Sequence, residues 1–259
     1  MSISDASSAL IQAFPAISLA EIQHEADFQT RRDRKYLLNA DRLPDLLASL
    51  GEGTRVLEID GRRSFSYITP YFDDAEHSSY LLAARRRPNR FKVRTRRYVA
   101  SGLQMLEVKV RDAQGRTVKH RTDLTRSDLV HLGPWEREWI SAFPQIGASS
   151  RALSHCMTTE YERVTLALPN RAGRVTIDHR LAFQSQSGSR CSVPELLTIE
   201  TKSAGRGTDV DRLLWRMGER PVALSKFATG LSLLDPALPA NRWHRTIQRI
   251  REQTDFSLR

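Results

Sequence analysis

Much of the chain alternates apolar and polar positions with a period of two, the pattern of strands that bury one face. It is clearest in RFKVRTRRY (90–98), LEVKVR (106–111), YERVTLAL (161–168) and RVTIDHRL (174–181). Turn signals such as Pro88-Asn89, Ser101-Gly102, Gln114-Gly115 and Pro169-Asn170 punctuate these runs. Together they predict strands at about 28–38, 54–60, 62–72, 90–99, 102–111, 115–122, 157–168, 173–184 and 195–203. Helical spacing is rarer. Leu43, Leu46, Leu47 and Leu50 recur behind Asp41 as expected cap, and two short helices are expected in 125–155, around Trp135 and Trp139. Thr208 with Asp211 reads as a capping box opening a helix to about Met217, and Asn241 as the cap of a last helix carrying Trp243, Ile247 and Ile250. The short links between strands suit hairpins rather than parallel crossovers, so the expected class is α+β, mainly antiparallel β. Residues 1–26, interrupted by Pro15, read as a loosely ordered or partly helical arm. Residues 27–236 read as the main domain and 237–259 as a C-terminal helix packed on it.

Alternate side chains of a strand share a face, so each run can be split by parity. Lys92, Arg94 and Arg96 then oppose Phe91, Val93 and Thr95, while Glu107, Lys109 and Arg111 oppose Leu106, Val108 and Val110. Thr117, Lys119 and Arg121 share a face in the next run, Tyr161, Arg163 and Thr165 in another, and Arg174, Thr176, Asp178 and Arg180 in a third. Glu200 and Lys202 oppose Ile199 and Thr201. Such faces are either the solvated side of an ordinary sheet or the lining of a cavity. Their content, almost wholly Arg and Lys with a minority of acids, favours a lining. An acid-x-Lys element recurs at Asp33-Arg34-Lys35, Glu107-Val108-Lys109 and Glu200-Thr201-Lys202. If the charged faces converge, the expectation is a closed β-tunnel of about eight strands with a charged lumen, flanked by helices.

Composition agrees with a folded, anion-binding protein. The 259 residues are 40% hydrophobic, and 40 Lys and Arg against 30 Asp and Glu give a net charge of +10. That charge favours polyanionic partners without choosing among them. The two cysteines, Cys156 and Cys191, make neither a disulfide framework nor a zinc motif. The first 26 residues carry acids and no Lys or Arg, unlike a signal peptide, and no apolar run approaches a membrane span, so a soluble cytoplasmic protein is expected. A nucleic-acid binder is disfavoured by the lack of an RNP-like aromatic run, zinc-finger spacing or basic helix. No P-loop is present, and Gly205-Arg206-Gly207 lacks the third glycine of a dinucleotide turn.

Guanidinium forks match phosphate oxygens and lysine adds compact charge, so the lining suits a triphosphate or longer phosphate chain. Acids in such a lining would repel the ligand unless a divalent metal, Mn²⁺ or Mg²⁺, bridged carboxylate and phosphate. Glu200 is the first choice of ligand and Glu107 the second. The alternative for each is an ion pair with a neighbouring Arg.

The ordered elements resemble the VTC domain of vacuolar transporter chaperone polyphosphate polymerases, in the CYTH or triphosphate tunnel metalloenzyme superfamily. They are Arg31-x-Asp33-x-Lys35-Tyr36, Tyr67-x-Thr69-x-Tyr71-Phe72-Asp73, Arg90-Phe91-Lys92-Val93-Arg94-x-Arg96 and Leu106-Glu107-Val108-Lys109, followed by Gly115-Arg116-Thr117-Val118-Lys119. Tyr161-x-Arg163, Arg174-Val175-Thr176-Ile177-Asp178, Glu200-Thr201-Lys202 and Ser225-Lys226-Phe227 complete the series, over roughly residues 28–234. Asp33 stands where the family usually has Glu, and Phe227 where Tyr is common. The resemblance implies an antiparallel tunnel in which the γ-phosphate of ATP is added to polyphosphate with a divalent metal, often Mn²⁺. The catalytic set it implies is Lys35, Arg94, Arg96, Lys109, Arg163 and Lys226. Substrate contacts are expected from Arg85, Lys92, Lys119, Arg121, Tyr161, Arg174, Lys202 and Ser225, and metal binding from Glu200 and Glu107. A triphosphatase of the same fold, or a sensor that binds polyphosphate or nucleotide without turnover, remains the alternative. With no membrane span of its own, the chain would need a separate membrane partner for export.

Overall fold

The structure, a computed structural model, describes residues 3–25, 32–112, 114–205 and 207–253. Arg31, the start of the first expected strand and the junction at 26–27 lie outside the described residues. The strands are β1 (Ala16–Ile17), β2 (Arg32–Asn39), β3 (Arg55–Leu57), β4 (Ser64–Asp73), β5 (Phe91–Tyr98), β6 (Gln104–Arg111), β7 (Thr117–Asp123), β8 (Ser154–Ala167), β9 (Arg174–Ser185), β10 (Arg190–Val193) and β11 (Leu196–Ser203). The helices are α1 (Asp5–Ala13), α2 (Leu19–Glu25), α3 (Leu43–Ala48), α4 (Ser78–Ala84), α5 (Pro134–Ser141), α6 (Asp209–Arg216), α7 (Lys226–Leu234) and α8 (His244–Gln253). The class is therefore α+β around a mainly antiparallel sheet.

Hydrogen-bonded neighbours follow the order β2-β11-β9-β8-β4-β5-β6-β7, every step antiparallel. This corrects the expected closed tunnel, because among the described residues β2 and β7 are not paired. The reason lies at the β2 edge. Val222 donates its N–H to the Lys35 carbonyl at 2.7 Å and Lys35 Nζ donates to the Leu224 carbonyl at 3.2 Å. A non-strand segment thus occupies the position a closing strand would need, and β7 keeps a charged, exposed edge that discourages further pairing.

Parity separates the two faces of the sheet. Tyr36, Leu38, Val175, Ile177, Leu197 and Ile199 pack with Ile11 of α1, Leu43, Leu46 and Leu47 of α3, and Val210 and Leu214 of α6. Val93, Leu106, Val108 and Val110 pack with Ile140 of α5. Each fully buried aliphatic contributes roughly 1.5–3 kcal/mol, so these helix-covered patches hold the sheet's outer side. The other face is divided. Its charged half carries the site, and its apolar half receives α7: Met157, Leu181 and Phe183 pack with Phe227, Ala228 and Leu231, backed by Trp243, Ile247 and Ile250 around α8. Gly230 lets α7 approach this closely, since an added Cβ would clash with Phe183 and with Met157 Sδ.

The local capping signals are realised only in part. The Thr208–Asp211 capping box forms, and Asp211 also accepts hydrogen bonds from Tyr36 and Thr201 at 2.7 Å each. Asp41 falls in a 3₁₀ turn and α3 begins at Leu43, while α8 starts at His244, beyond the reach of Asn241 as its cap. In 125–155 one α-helix and a 3₁₀ turn, Gly147–Arg151, replace the two expected helices. No helix among the described residues is long and apolar enough to cross a membrane.

Candidate functional site

The register of β5, β6 and β7 sets the lining in rows. Lys92, Lys109 and Lys119 stand directly opposite one another in one row, and Arg94, Glu107 and Arg121 in the next. At the far end of the sheet Glu200 lies between Lys35 and Thr176, and Lys202 between Asp33 and Arg174. Curling of the sheet brings these ends together: Lys35, Lys92 and Lys109 line one cavity of about 520 Å³ with Arg111 and Ser225. Ser225 caps α7, its Oγ accepting from the Ala228 N–H, and also accepts from Lys92 Nζ at 2.8 Å. The N-terminal end of α7 therefore borders the cationic cavity, and its dipole adds to the positive potential there.

Three carboxylates organise the remaining cations. Glu107, fully buried, accepts from Arg94 Nε at 2.6 Å and pairs with Lys119. Asp178, also buried, takes a two-pronged contact from Arg163 at 2.6 and 2.9 Å and pairs with Lys226. Glu200 pairs with Lys202 at 2.5 Å, and the same ammonium reaches Asp33 at 3.3 Å. Aromatic rings hold the guanidiniums flat. Tyr67 and Tyr161 stack at 5.1 Å, Arg163 lies over both, Arg96 lies over Tyr67 at 5.4 Å and Arg94 over Tyr71 at 5.9 Å. Lys226 sits over Tyr161 at 4.6 Å. Such contacts stabilise a cation while leaving its outward N–H groups for a ligand.

Charge balance within the cavity is what distinguishes it. Among the described residues Lys109 makes no hydrogen bond or ion pair, and the charge of Arg94, then burial, then Lys92 and Lys35 hold it well below the usual lysine range. Burial, followed by Lys35 and Arg94, pushes Lys92 down to about 7. Burial also lowers Lys35, opposed by Glu200. Burial opposes ionisation of Glu107, Asp178 and Glu200 as well, but their cationic neighbours outweigh it and bring all three below the carboxylate range, Asp178 to about 2. Burial likewise raises Tyr71, yet Arg94 and Arg96 outweigh it and lower the phenol. The fold holds ammonium groups side by side at a cost that a bound polyanion would relieve.

This has a pH signature. Lys92 in the fold titrates near 7 against about 10.4 in an unfolded chain, so between those values the unfolded chain binds more protons, and this group's contribution improves as pH rises. An anion reverses the preference by favouring the ammonium. Tripolyphosphate binding at pH 8 is expected to take up protons, and affinity to fall as pH rises through 7. Calorimetry in two buffers of different ionisation heat measures the uptake, and Lys92→Met should reduce it by up to about one proton. Identical uptake in both proteins would refute the assignment.

The sequence-predicted residues are largely assembled. Lys35, Lys92, Lys109 and Ser225 line the cavity, and Arg94, Arg96, Lys119, Tyr161, Arg163 and Lys226 belong to the adjoining charge and ring network. Lys202 and Glu200 sit on β11, and Arg174 at the start of β9 faces Lys202. Arg85 does not join them: it stands exposed at the end of α4. Arg121 is opposite Glu107 but exposed on the edge strand. Sequence reasoning assigned no role to Tyr67, Thr69 and Tyr71, whose period-two spacing on β4 was a usable signal. It assigned none to Arg242, for which no signal exists.

Among the described residues no group of three or more His, Cys, Asp or Glu side chains converges. The two candidate metal ligands differ in fit. Both cations on Glu107 come from the protein, which saturates its carboxylate. Glu200 and Asp33 share the Lys202 ammonium between them, so a positive charge already stands where a divalent ion bridging carboxylate and phosphate would sit.

An antiparallel sheet curled around a cationic, partly ring-lined cavity defines the class of protein. Residues 30–235 match the VTC domain family, and the chain belongs to it. No match among curated proteins was found. Among solved structures, the chain is similar to a Vibrio parahaemolyticus protein assigned as an adenylate cyclase (11% identity, 76% of this chain and 95% of that one, TM-score 0.45). It is also similar to a Hippeastrum protein assigned as an adenylyl cyclase, with a dominant triphosphatase activity (12%, 78% and 96%, 0.49), and to the PH1819 protein of Pyrococcus horikoshii (9%, 78% and 96%, 0.44).

Proposed function

We propose that the cavity binds the triphosphate of ATP and transfers its γ-phosphoryl group to the end of a polyphosphate chain. The observation that carries this reading is the lysine row: Lys92 and Lys109 opposite each other, with Lys35 in the same cavity, and Lys109 in no ion pair among the described residues. In the transfer, a terminal polyphosphate oxygen forms the new P–O bond as the bond between the β- and γ-phosphates breaks and ADP leaves. Phosphoryl transfer needs alignment and charge neutralisation more than covalent chemistry, so no His or Ser nucleophile is required. Lys35, Lys92 and Lys109 would neutralise the phosphate oxygens. Arg94, Arg96 and Arg163, held by rings and carboxylates, would keep donor and acceptor in line. Glu200 with Asp33 would hold Mn²⁺ or Mg²⁺ once the Lys202 ammonium is displaced from between them, and the ion would supply neutralisation of phosphate charge and polarisation of the transferring group. The open side between β2 and β7 would let a growing chain leave without threading a closed barrel.

Hydrolysis to free phosphate is the second reading, favoured by Lys92, whose pKa near 7 suits it to take a proton from water. Incubating purified protein with ATP and Mn²⁺ separates the two: long polyphosphate supports transfer, free phosphate alone supports hydrolysis, and neither leaves binding as the function. Glu200→Gln is expected to lower turnover by roughly 10²-fold while leaving metal-free tripolyphosphate binding within a few-fold. Unchanged turnover would remove Glu200 from the mechanism.

A further inference from the structure

Four arginines from three separate stretches of the chain meet just outside the lysine cavity. Arg86 follows α4, Arg90 precedes β5, Arg111 ends β6 and Arg242 precedes α8. With Pro88 and Gly115 they line a second cavity of about 470 Å³, which shares Arg90, Arg111 and Arg242 with the first, so the two are continuous. Among the described residues none of the four makes an ion pair. Asp112, the carboxylate of the β6–β7 hairpin, is taken by Arg116 at 2.8 Å. Arg242 donates to the Ala83 carbonyl at 3.0 Å and lies over the Trp243 ring, which fixes its guanidinium. Burial, then the charges of Arg86 and Arg111, hold Arg242 below the usual arginine range. Two backbone features support the cluster. Arg86 adopts a left-handed conformation, φ 55°, unusual for a non-glycine residue, and Gly115 leaves room for Arg111, whose Nη2 a Cβ would approach to 3.2 Å. Solvated arginines without counter-ions ordinarily spread apart. Here packing and turns hold them around one concavity, where forked donors match successive phosphates.

We propose that this arginine cluster is an outer anion subsite, taking the phosphates of a linear polyphosphate beyond those held by the lysines. It rests on the phosphate-transfer reading of the inner cavity and sharpens it: the preferred ligand is a chain long enough to occupy both cavities, and tripolyphosphate fills only the inner one.

Calorimetric titration of the full chain with metal-free tripolyphosphate and with long-chain polyphosphate tests this, comparing the wild type with Arg86→Asn, because Arg86 alone of the four arginines lines the outer cavity and not the inner one. Asn tolerates the left-handed backbone at 86. The wild type is expected to bind the long chain at least about 10-fold more tightly than tripolyphosphate after correction for the number of binding registers. In Arg86→Asn that advantage should shrink to about threefold, tripolyphosphate affinity should hold within about twofold, and the salt dependence of long-chain binding should fall by roughly one log unit per log unit of salt. Arg86→Gly, which the left-handed backbone also accepts, should give the same loss and keeps the test available if Arg86→Asn melts early. An undiminished chain-length advantage in the variants, or equal loss for both ligands, would overturn the outer subsite. Tripolyphosphate failing to bind while long-chain affinity still falls on substitution would support the outer subsite and overturn the inner triphosphate reading instead.

Discussion

Lys109→Met is expected to make the protein more stable and to weaken tripolyphosphate binding by roughly 10–100-fold. Lys109 faces Lys92 on one side and Lys119 on the other, and like charges directly opposite in a sheet destabilise it by roughly 0.2–1 kcal/mol per pair. Arg94 and Lys35 add to the repulsion, which the charge of Glu200 offsets only in part. A methionine of similar reach keeps the packing of β6 and removes the charge, so the melting temperature should rise by about 2–4 °C per kcal/mol recovered. The same charge is what a phosphate would neutralise, and losing one charge-assisted contact accounts for the affinity. Thermal unfolding and titration on one sample check both parts. A variant that is less stable yet binds normally would show Lys109 to be a structural residue and sink the lysine-row argument.

Glu107→Gln should act in the opposite direction. Glu107 is fully buried between Arg94 and Lys119, and removing its charge leaves two cations without their carboxylate, a loss of roughly 3–5 kcal/mol. At about 2–4 °C per kcal/mol the melting temperature should fall by roughly 6–20 °C. Because its folded-state pKa is depressed, the stability Glu107 contributes is present above its unfolded value near 4.3 and is lost as pH falls below it. The variant should therefore differ most from the wild type near neutrality and converge with it in acid. Adding Lys119→Met to Glu107→Gln should recover part of the loss, since it removes one stranded charge. A melting temperature within about 2 °C of wild type would show that water already solvates these cations.

The contrast between Glu107 and Glu200 illustrates how far the sequence could be read. Both sit in acid-x-Lys elements, and parity assigns both to the charged face. Parity cannot say which neighbour reaches which acid, because that depends on how far the sheet curls and on the rotamers of long side chains. Arg94 and Lys119 enclose Glu107 from the strands on either side, whereas Glu200 shares one ammonium with Asp33. Arg85 shows the opposite failure: within a basic run it looks like a ligand contact, but α4 ends there and turns it to solvent.

Sequence alone determined, for most strand positions, which residues share the charged face and which face the helices, because strand side chains alternate. Arg180, aligned by parity with Asp178, instead stands exposed beside Glu162, because its left-handed backbone breaks the alternation. Sequence also determined family membership, because the motifs keep their order over most of the chain. Tertiary structure decided the rest. Closure was settled at the β2 edge, where the Val222 N–H takes the Lys35 carbonyl and leaves the sheet open, a contact between residues far apart in the chain. The apolar half of the concave face was settled by α7, which enters because Gly230 leaves room beside Phe183. The arginine mouth was settled by the segment leading into α8, which brings Arg242 to the cavity that Arg86 and Arg111 line. Each of these depends on long-range packing and hydrogen bonding, which no local periodicity encodes.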